Sequence, residues 1–319
     1  MILKSISNFF SNKVVENILL FLILSGVIAT IITPDLPFVG KSSDFANQIM
    51  IFYLALSMFF LLISQQRLMI AALICTGIFA FFLKETTNAR IRYALPNQEE
   101  KLRLALINLS SIDSDPRKVF QYVSKKNHDI LIFQEYTPEW QGAIENQVEP
   151  NFSYKISLPR IDVYGLKVLS QYPIVTADTI FYNDIPLLKI QLLKNNKRFD
   201  VFTAYFPPQL DANSREIALG ELDIINSRIE AMQVPLIVTG VFNMVPWSAE
   251  IQDFKQKGGF TESRSGYIPS MDKTSGGIFG KPVTHIFYNQ LLECTGFSVS
   301  RADNDEYGVE AQFQIKNIH

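Results

Sequence analysis

Several apolar segments of the sequence end in polar side chains of kinds that do chemistry. Asn108, Glu135 and Asn243 each stand at or just after the end of such a segment, and Asp305 precedes the last one. An oxygen-only set of this kind suits a hard cation such as Mg²⁺, which prefers carboxylate and carbonyl ligands. Taken singly, each residue is better explained as a strand-end cap or a solvated loop residue. Only the set as a whole predicts a site.

The elements that would position these residues alternate irregularly between strands and helices. Apolar patterning predicts strands at residues 102–109, 130–134, 166–170, 187–193, 199–204, 236–239, 285–288 and 311–315. Helices are predicted at residues 116–126, 214–232 and 248–257. Two of the strands form a predicted hairpin across residues 194–197. This mixture favours a layered α/β sandwich over a doubly wound sheet.

The first 85 residues differ in character, because they contain three long apolar runs. The runs cover about residues 14–32, 46–64 and 68–83, and we interpret them as transmembrane helices, since a bilayer core needs roughly 20 apolar residues per helix. A cleaved signal peptide is the alternative for the first run, but its apolar stretch continues to Pro34 and two more runs follow. The second and third runs contain no ionisable residue, which favours an anchor over a channel or transporter.

The predicted organisation is a membrane region at residues 1–85, a polar linker at 86–100 and a folded domain at 101–319. Basic residues flank both sides of the predicted helices, so the positive-inside rule does not decide the orientation. A short N-terminal tail usually stays in the cytoplasm, and three crossings then place the folded domain outside. We therefore expect a multi-pass membrane protein with an extracytoplasmic domain.

Charge and cysteine content limit the classes of partner. The chain has 48% hydrophobic residues, a mean hydropathy of +0.12 and a formal net charge of −2. After Arg92 acidic residues outnumber basic ones, and no basic cluster is longer than a pair such as Lys125-Lys126. Such a surface disfavours a dedicated nucleic-acid binder. The two cysteines, Cys75 and Cys294, indicate nothing about the redox compartment.

The segments that carry the polar residues resemble, in order and spacing, the endonuclease/exonuclease/phosphatase superfamily. The matching segments are LRLALINLS, DILIFQE, YGLKVLSQYPI, FTAYFPP, PLIVTGVFN, PVTHIF and NDEYGVEAQFQI. They extend over nearly all of residues 100–319, and the apolar runs before them are similar to those of bacterial membrane-anchored members. The resemblance implies a four-layer α/β sandwich with an active site at one edge, and a location in the bacterial inner membrane.

Position by position, the resemblance fails at the residues that do acid–base chemistry. The family's first asparagine and metal-binding glutamate are present as Asn108 and Glu135, and Asn243 of its Gly-Asp-Phe-Asn signature remains. If a metal binds, Asn108, Glu135 and Asp305 are the expected ligands. Four positions differ: Tyr205 replaces a histidine, Val241 the signature aspartate, Thr284 the aspartate of an Asp-His pair, and Glu306 the histidine of a terminal Ser-Asp-His.

Histidine content supports this conclusion without the resemblance. The chain has three histidines, His128, His285 and His319, and only His285 lies near the predicted site. Neighbouring side chains on a strand point to opposite faces, so His285 faces away from the site if Thr284 faces it, and is then a structural residue. A His–Asp dyad for acid–base chemistry therefore cannot be assembled. The positioned general base that is lost with it contributes about 10²- to 10⁴-fold to a rate.

Two functions are compatible with these expectations. The first is a membrane-anchored pseudoenzyme without a cofactor, which binds or scaffolds other proteins and is not an enzyme. The second is an active Mg²⁺-dependent phosphoesterase (a phosphodiesterase, phosphatase or nuclease) with a rearranged site, in which Glu306 acts as a carboxylate base. Three helices are more than tethering needs. The sequence therefore also suggests a protein partner in a membrane complex, besides the bilayer itself.

Overall fold

The structure, a computed structural model, describes residues 9–32, 42–89, 91–97, 101–112, 116–229, 234–266, 280–302 and 305–316. The chain divides into two compact units, Met1–Ala89 and Arg90–His319.

The first unit contains three helices that are long and apolar enough to cross a membrane. They are α1 (Lys13–Ile32), α2 (Ala46–Leu62, preceded by a 3-10 turn at Ser42–Phe45) and α3 (Gln66–Thr86). Helix α3 is longer than the predicted run at both ends, because polar residues on either side of the apolar stretch are also helical.

Side-chain contacts join these helices to one another. The Tyr53 hydroxyl of α2 donates a hydrogen bond of 2.9 Å to the Ile23 carbonyl of α1. Gly26 leaves room for this contact, since a Cβ there would lie 2.6 Å from the Tyr53 hydroxyl oxygen. Glu16 and Arg67 form an ion pair of 3.1 Å, so the N-terminal ends of α1 and α3 lie side by side.

The second unit is built on two mixed sheets, each with six strands in the described residues. In the first sheet the spatial order is β11 (Leu292–Ala302), β12 (Asp305–Ile315), β1 (Lys101–Asn108), β2 (Ile130–Gln134), β4 (Leu166–Ser170) and β3 (Tyr154–Leu158). In the second it is β5 (Ile174–Tyr182), β6 (Ile185–Lys194), β7 (Lys197–Tyr205), β8 (Leu236–Val241), β10 (Thr284–Tyr288) and β9 (Thr261–Glu262). The pairs β1–β2 and β7–β8 are parallel, and the others are antiparallel.

Helices cover the outer faces of both sheets. They are α4 (Pro116–Lys125) and α5 (Pro138–Gln147) on the first sheet, and α6 (Ala212–Ile229) and α7 (Ala249–Gly258) on the second. The inner faces pack on each other through alternate residues such as Leu104, Ile132 and Ile237. This is a four-layer α/β sandwich, which confirms the predicted fold class.

The β6–β7 hairpin shows how local sequence sets the topology. Asn195 and Asn196 have φ values of 49° and 62°, and asparagine tolerates this left-handed region better than most residues. The hairpin predicted across residues 194–197 is present, and because Lys194 and Lys197 pair directly its turn has only two residues.

The strands that sequence patterning missed lack a clean apolar alternation. They are β3, β5, β9 and β11. β5 is an edge strand with mostly exposed or half-exposed side chains, and β11 contains register shifts beside Gly296 and Arg301. Periodicity detects a strand only where one face is buried, and it fails at such edges.

Glu310 of β12 is held by a set of donors on the outer face of the first sheet. Lys126 Nζ lies 2.8 and 2.9 Å from its two carboxylate oxygens, and Ser300 Oγ donates a hydrogen bond of 2.7 Å. His128 Nε2 lies 3.5 Å from the same carboxylate. Burial alone would raise the pKa of Glu310, but these three donors outweigh burial and lower it to about 2.

The low pKa of Glu310 predicts a loss of stability in acid. Such a carboxyl stabilises the fold above its ordinary pKa of about 4.3, and the contribution disappears as the pH falls through the folded-state value of about 2. We expect Glu310→Gln to lower the free energy of unfolding by about 2–3 kcal/mol at neutral pH, with the difference shrinking towards about pH 2. Urea unfolding of the detergent-solubilised chain at a series of pH values measures this.

The matched control is Glu139→Gln, an exposed position on α5, expected to change the free energy of unfolding by less than about 0.5 kcal/mol. A Glu310→Gln difference that stays constant with falling pH would contradict the role of the Glu310 carboxylate.

Candidate functional site

Four of the predicted site residues, Asn108, Tyr205, Val241 and Thr284, lie on strand ends at one edge of the space between the two sheets. Strand alternation places Asn108 and Gln134 of the first sheet, and Tyr205, Val241 and Thr284 of the second, on the inner faces. The register pairs Asn108 with Gln134, Tyr205 with Val241, and Val241 with Thr284. Three of the four positions that depart from the family pattern therefore form one row across β7, β8 and β10.

Gln134 joins the two sheets at this edge, and sequence reasoning missed it. Its Nε2 donates to the Ala204 carbonyl at 2.5 Å, and its Oε1 accepts from the Val241 amide at 2.8 Å. Gly240 allows this close approach, since a Cβ there would lie 2.0 Å from the Ala204 oxygen. The signal in the sequence is an amide side chain at the end of an otherwise apolar strand, ILIFQ. A buried amide in such a strand needs partners.

Asn108 and Glu135 form a direct hydrogen-bonded pair. Asn108 Nδ2 donates to Glu135 Oε1 at 2.8 Å, while Asn108 Oδ1 accepts from both the amide and the hydroxyl of Ser110 at 3.1 Å. Glu135 has a φ of 56°, a left-handed conformation that is unfavourable for a residue with a side chain. The next amide, that of Tyr136, is fixed by a 3.0 Å hydrogen bond to the Gly165 carbonyl, which helps to hold this conformation.

Asn243 occupies a turn directly after β8. It has a φ of 53°, and its Nδ2 donates to the Phe206 carbonyl at 2.8 Å. The Phe206 and Phe242 rings stack with centroids 4.2 Å apart, which fixes the turn on the outer layer of the second sheet. The side chain therefore ties the end of β8 to the end of β7.

Tyr205 fills the histidine position with a buried phenol. Its side chain is 8% exposed, and its ring meets that of Tyr164 edge to face with centroids 5.8 Å apart. Burial raises the pKa of Tyr205 above its ordinary value, and Glu135 raises it further, against an opposing hydrogen bond with Asn243. The phenol therefore stays protonated at neutral pH and cannot act as a base.

Val241 and Thr284 are buried beside Tyr205, with 4% and 1% exposure. His285 lies on the opposite, helix-facing side of β10, where its ring contacts Phe242 and Phe287. The structure therefore shows Thr284 towards the site and His285 away from it, as strand alternation predicts.

The terminal motif lies partly outside the described residues. Asp305 begins β12, but its side chain is outside what the structure describes. Glu306 forms an ion pair with Arg301 of β11. Gly308 pairs with Ile107, so Glu306 lies near the end of β1 that carries Asn108.

The described side chains do not fit a resident Mg²⁺. No group of three or more His, Cys, Asp or Glu side chains converges among the described residues. The Glu135 carboxylate faces the amide N–H of Asn108, a donor that would oppose a cation, and the carbonyl oxygen of Asn108 is engaged by Ser110. Mg²⁺ requires several oxygen ligands in near-octahedral geometry.

The sequence of the folded unit is similar to that of a known protein family. The model of the Endonuclease/Exonuclease/phosphatase family matches residues 105–303, more than half of the chain. A search of curated protein sequences found no match.

Solved structures show the same fold at low identity. An endonuclease/exonuclease/phosphatase family protein from Bacteroides thetaiotaomicron is 17% identical with a TM-score of 0.54, covering 68% of this chain and 98% of its own. TDP2 of D. rerio in complex with a single-strand DNA product is 12% identical with a TM-score of 0.55, covering 67% and 99%. The catalytic domain of human Nocturnin is 13% identical with a TM-score of 0.55, covering 69% and 97%.

Proposed function

The chain belongs to the Endonuclease/Exonuclease/phosphatase family, and on that premise we propose that it is a catalytically inactive, membrane-anchored member that binds or scaffolds other proteins. In this proposal the fold is retained for its surface, and the edge that holds catalytic groups elsewhere in the family is a packed remnant.

The row formed by Tyr205, Val241 and Thr284 carries the proposal. Valine has no proton to exchange, the threonine hydroxyl is far too weak an acid, and the buried tyrosine is protonated at neutral pH. A general base contributes about 10²- to 10⁴-fold, and each electrostatic stabiliser about 10²- to 10³-fold. Replacement of three adjacent positions therefore removes most of any ancestral rate.

Enzyme assays of the full chain in detergent test this proposal. With Mg²⁺ or Mn²⁺ present, we expect no hydrolysis of phosphomonoesters, phosphodiesters or nucleic acid above the rate of a Glu135→Ala variant. Because this variant removes the family's metal-binding carboxylate, it also controls for contaminating enzymes. Turnover that Glu135→Ala abolishes would overturn the proposal.

One observation favours the alternative, an active phosphoesterase with a rearranged site. The Asn108–Glu135 pair is intact, and Glu306 lies near the same end of β1, where it could serve as a carboxylate base. Such an enzyme needs Mg²⁺, whereas a scaffold needs no cofactor. Calorimetric titration separates the two, because Mg²⁺ binding that Glu135→Ala removes would support the alternative. Absence of binding at millimolar Mg²⁺ would exclude it.

The membrane unit sets where the protein acts. Three helices long enough to cross a bilayer support a multi-pass membrane protein, and we propose that it lies in the bacterial inner membrane with the folded unit outside the cytoplasm. A C-terminal reporter that is active only outside the cytoplasm tests this orientation.

The excess of acidic over basic residues in the folded unit argues against nucleic acid as a partner. A protein partner in the membrane is tested by cross-linking and co-purification from mild detergent.

A further inference from the structure

Residues 91–97 fall within the stretch that the sequence predicts as a polar linker, and they contact the first sheet. The Ala94 amide donates a hydrogen bond of 3.0 Å to the Cys294 carbonyl of β11. The Asn97 amide donates one of 2.8 Å to Gln314 Oε1 of β12. Both contacts lie where β12 ends and β1 begins, so the segment is fastened to the first sheet at the end opposite the site edge.

The same segment also reaches the second sheet. The Tyr93 hydroxyl donates a hydrogen bond of 3.0 Å to the Ser263 carbonyl. Ser263 follows β9 and is fully buried, and its amide and its hydroxyl donate to the Ile286 carbonyl of β10 at 2.9 and 2.8 Å. The Ile91 side chain packs against the core between the sheets. Residues 91–97 therefore bridge the two sheets, and we call them the strap.

Arg264 is the next residue after this strap contact and continues it towards the site edge. Its side chain is 1% exposed, and its guanidinium carbon lies 4.9 Å from the centre of the Phe297 ring of β11. Its Nε donates to Glu262 Oε1 at 3.2 Å, and the guanidinium also donates to the Thr284 carbonyl. A buried cation needs such partners, because an unpaired charge in the interior is costly. Arg264 therefore connects the strap contact at Ser263 with Thr284 of the altered row.

We propose that the strap is a coupling element, which transmits displacement of the chain that leaves α3 to the site edge through Tyr93, Ser263 and Arg264. The strap begins a few residues after α3, which ends at Thr86. A change at that point of the chain acts on the strap contacts before it reaches either sheet. The proposal does not depend on whether the site is active, because it concerns only the position of Thr284.

The short length of β9 explains why the strap affects the site edge. In the described part of the chain β9 pairs with β10 through two residue pairs, so few backbone hydrogen bonds hold it. Segments with few such contacts open locally at a lower free-energy cost than the centre of a sheet. Loss of the Tyr93 hydrogen bond should therefore free residues 262–264, and with them the guanidinium that binds the Thr284 carbonyl.

Hydrogen exchange of the full chain in detergent tests the proposal, with mass spectrometry that resolves single residues. In the unmodified chain we expect the Ala94 amide to be protected, because it is bonded to the Cys294 carbonyl. Tyr93→Phe removes only the hydroxyl that binds Ser263. We expect this variant to exchange about 2- to 10-fold faster at residues 261–264 and 284–285, as the loss of one hydrogen bond predicts. Exchange in β4 should not change.

Tyr154→Phe is the matched control, because it removes the same atom from a tyrosine of the same exposure, 38%, on β3. It should leave exchange at residues 261–264 and 284–285 unchanged. An unprotected Ala94 amide in the unmodified chain would show that the strap is not fastened. If Tyr93→Phe leaves residues 284–285 unchanged, or accelerates β4 equally, the strap does not act on the site edge and the proposal is wrong.

Discussion

Gln134→Leu is expected to lower the free energy of unfolding of the folded unit by about 2–4 kcal/mol, because it removes both hydrogen bonds of a buried amide bridge. The change would leave the Val241 amide and the Ala204 carbonyl buried without their hydrogen bonds, and each such group costs about 1–3 kcal/mol. Urea unfolding followed by tryptophan fluorescence measures the effect. Both tryptophans, Trp140 and Trp247, lie in the folded unit, so the signal reports on this unit alone.

Two further variants separate the hydrogen bonds of Gln134 from its volume. Gln141→Leu makes the same chemical change on an exposed face of α5 and is expected to change the free energy of unfolding by less than about 0.5 kcal/mol. Gln134→Glu keeps the shape, but its ionised carboxylate would face the Ala204 carbonyl, so this variant should be more stable in mild acid than at neutral pH. If Gln134→Leu unfolds like the unmodified chain, the bridge does not hold the sheets together.

The contrast between Gln134 and Asn108 shows what the sequence could and could not predict about the site. Asn108, Glu135 and Asn243 were identified because each is a polar residue at a strand end within a recognisable segment. The role of Gln134 depends on the second sheet meeting the first at the ends of β2 and β8, and no local pattern encodes that distance. The same limit applies to the 2.8 Å contact between Glu262 of β9 and the ring of His285 on β10, which forms only when these two strands pair.

The fold itself was more predictable than the site. Buried central strands such as β2 and β8 are continuous apolar runs, and the two asparagines at 195–196 specify the turn between β6 and β7. Edge strands escaped prediction because their side chains are half exposed and carry little periodic signal. Register was also beyond the sequence. Only the pairing of Val241 with both Tyr205 and Thr284 shows that the altered positions are neighbours.

That adjacency changes the meaning of the altered residues. Scattered substitutions in a working enzyme would each need a separate compensation. A row of buried, uncharged side chains can pack without a metal. The Gln134 bridge fits this arrangement, because the Val241 amide donates its hydrogen bond to a side chain of the other sheet. Under the proposed function, packing and the loss of catalysis are therefore coupled at this edge, and reversal of one substitution alone should disturb the packing.

Val241→Asp alone is expected to lower the free energy of unfolding by about 2–4 kcal/mol without producing hydrolysis, because it places a carboxylate where the valine is only 4% exposed. The combined change Tyr205→His, Val241→Asp, Thr284→Asp and Glu306→His should instead create a site in which Mg²⁺ raises the Tm. Two carboxylates would then stand on paired positions, with Glu135 across the edge. Thermal unfolding with and without Mg²⁺, and the same combination carrying Glu135→Ala as the control, measure this. A large gain in hydrolysis from Val241→Asp alone would show that the remaining residues still form a competent site. If Mg²⁺ does not change the Tm of the combined variant, the edge is not the remnant of a metal centre.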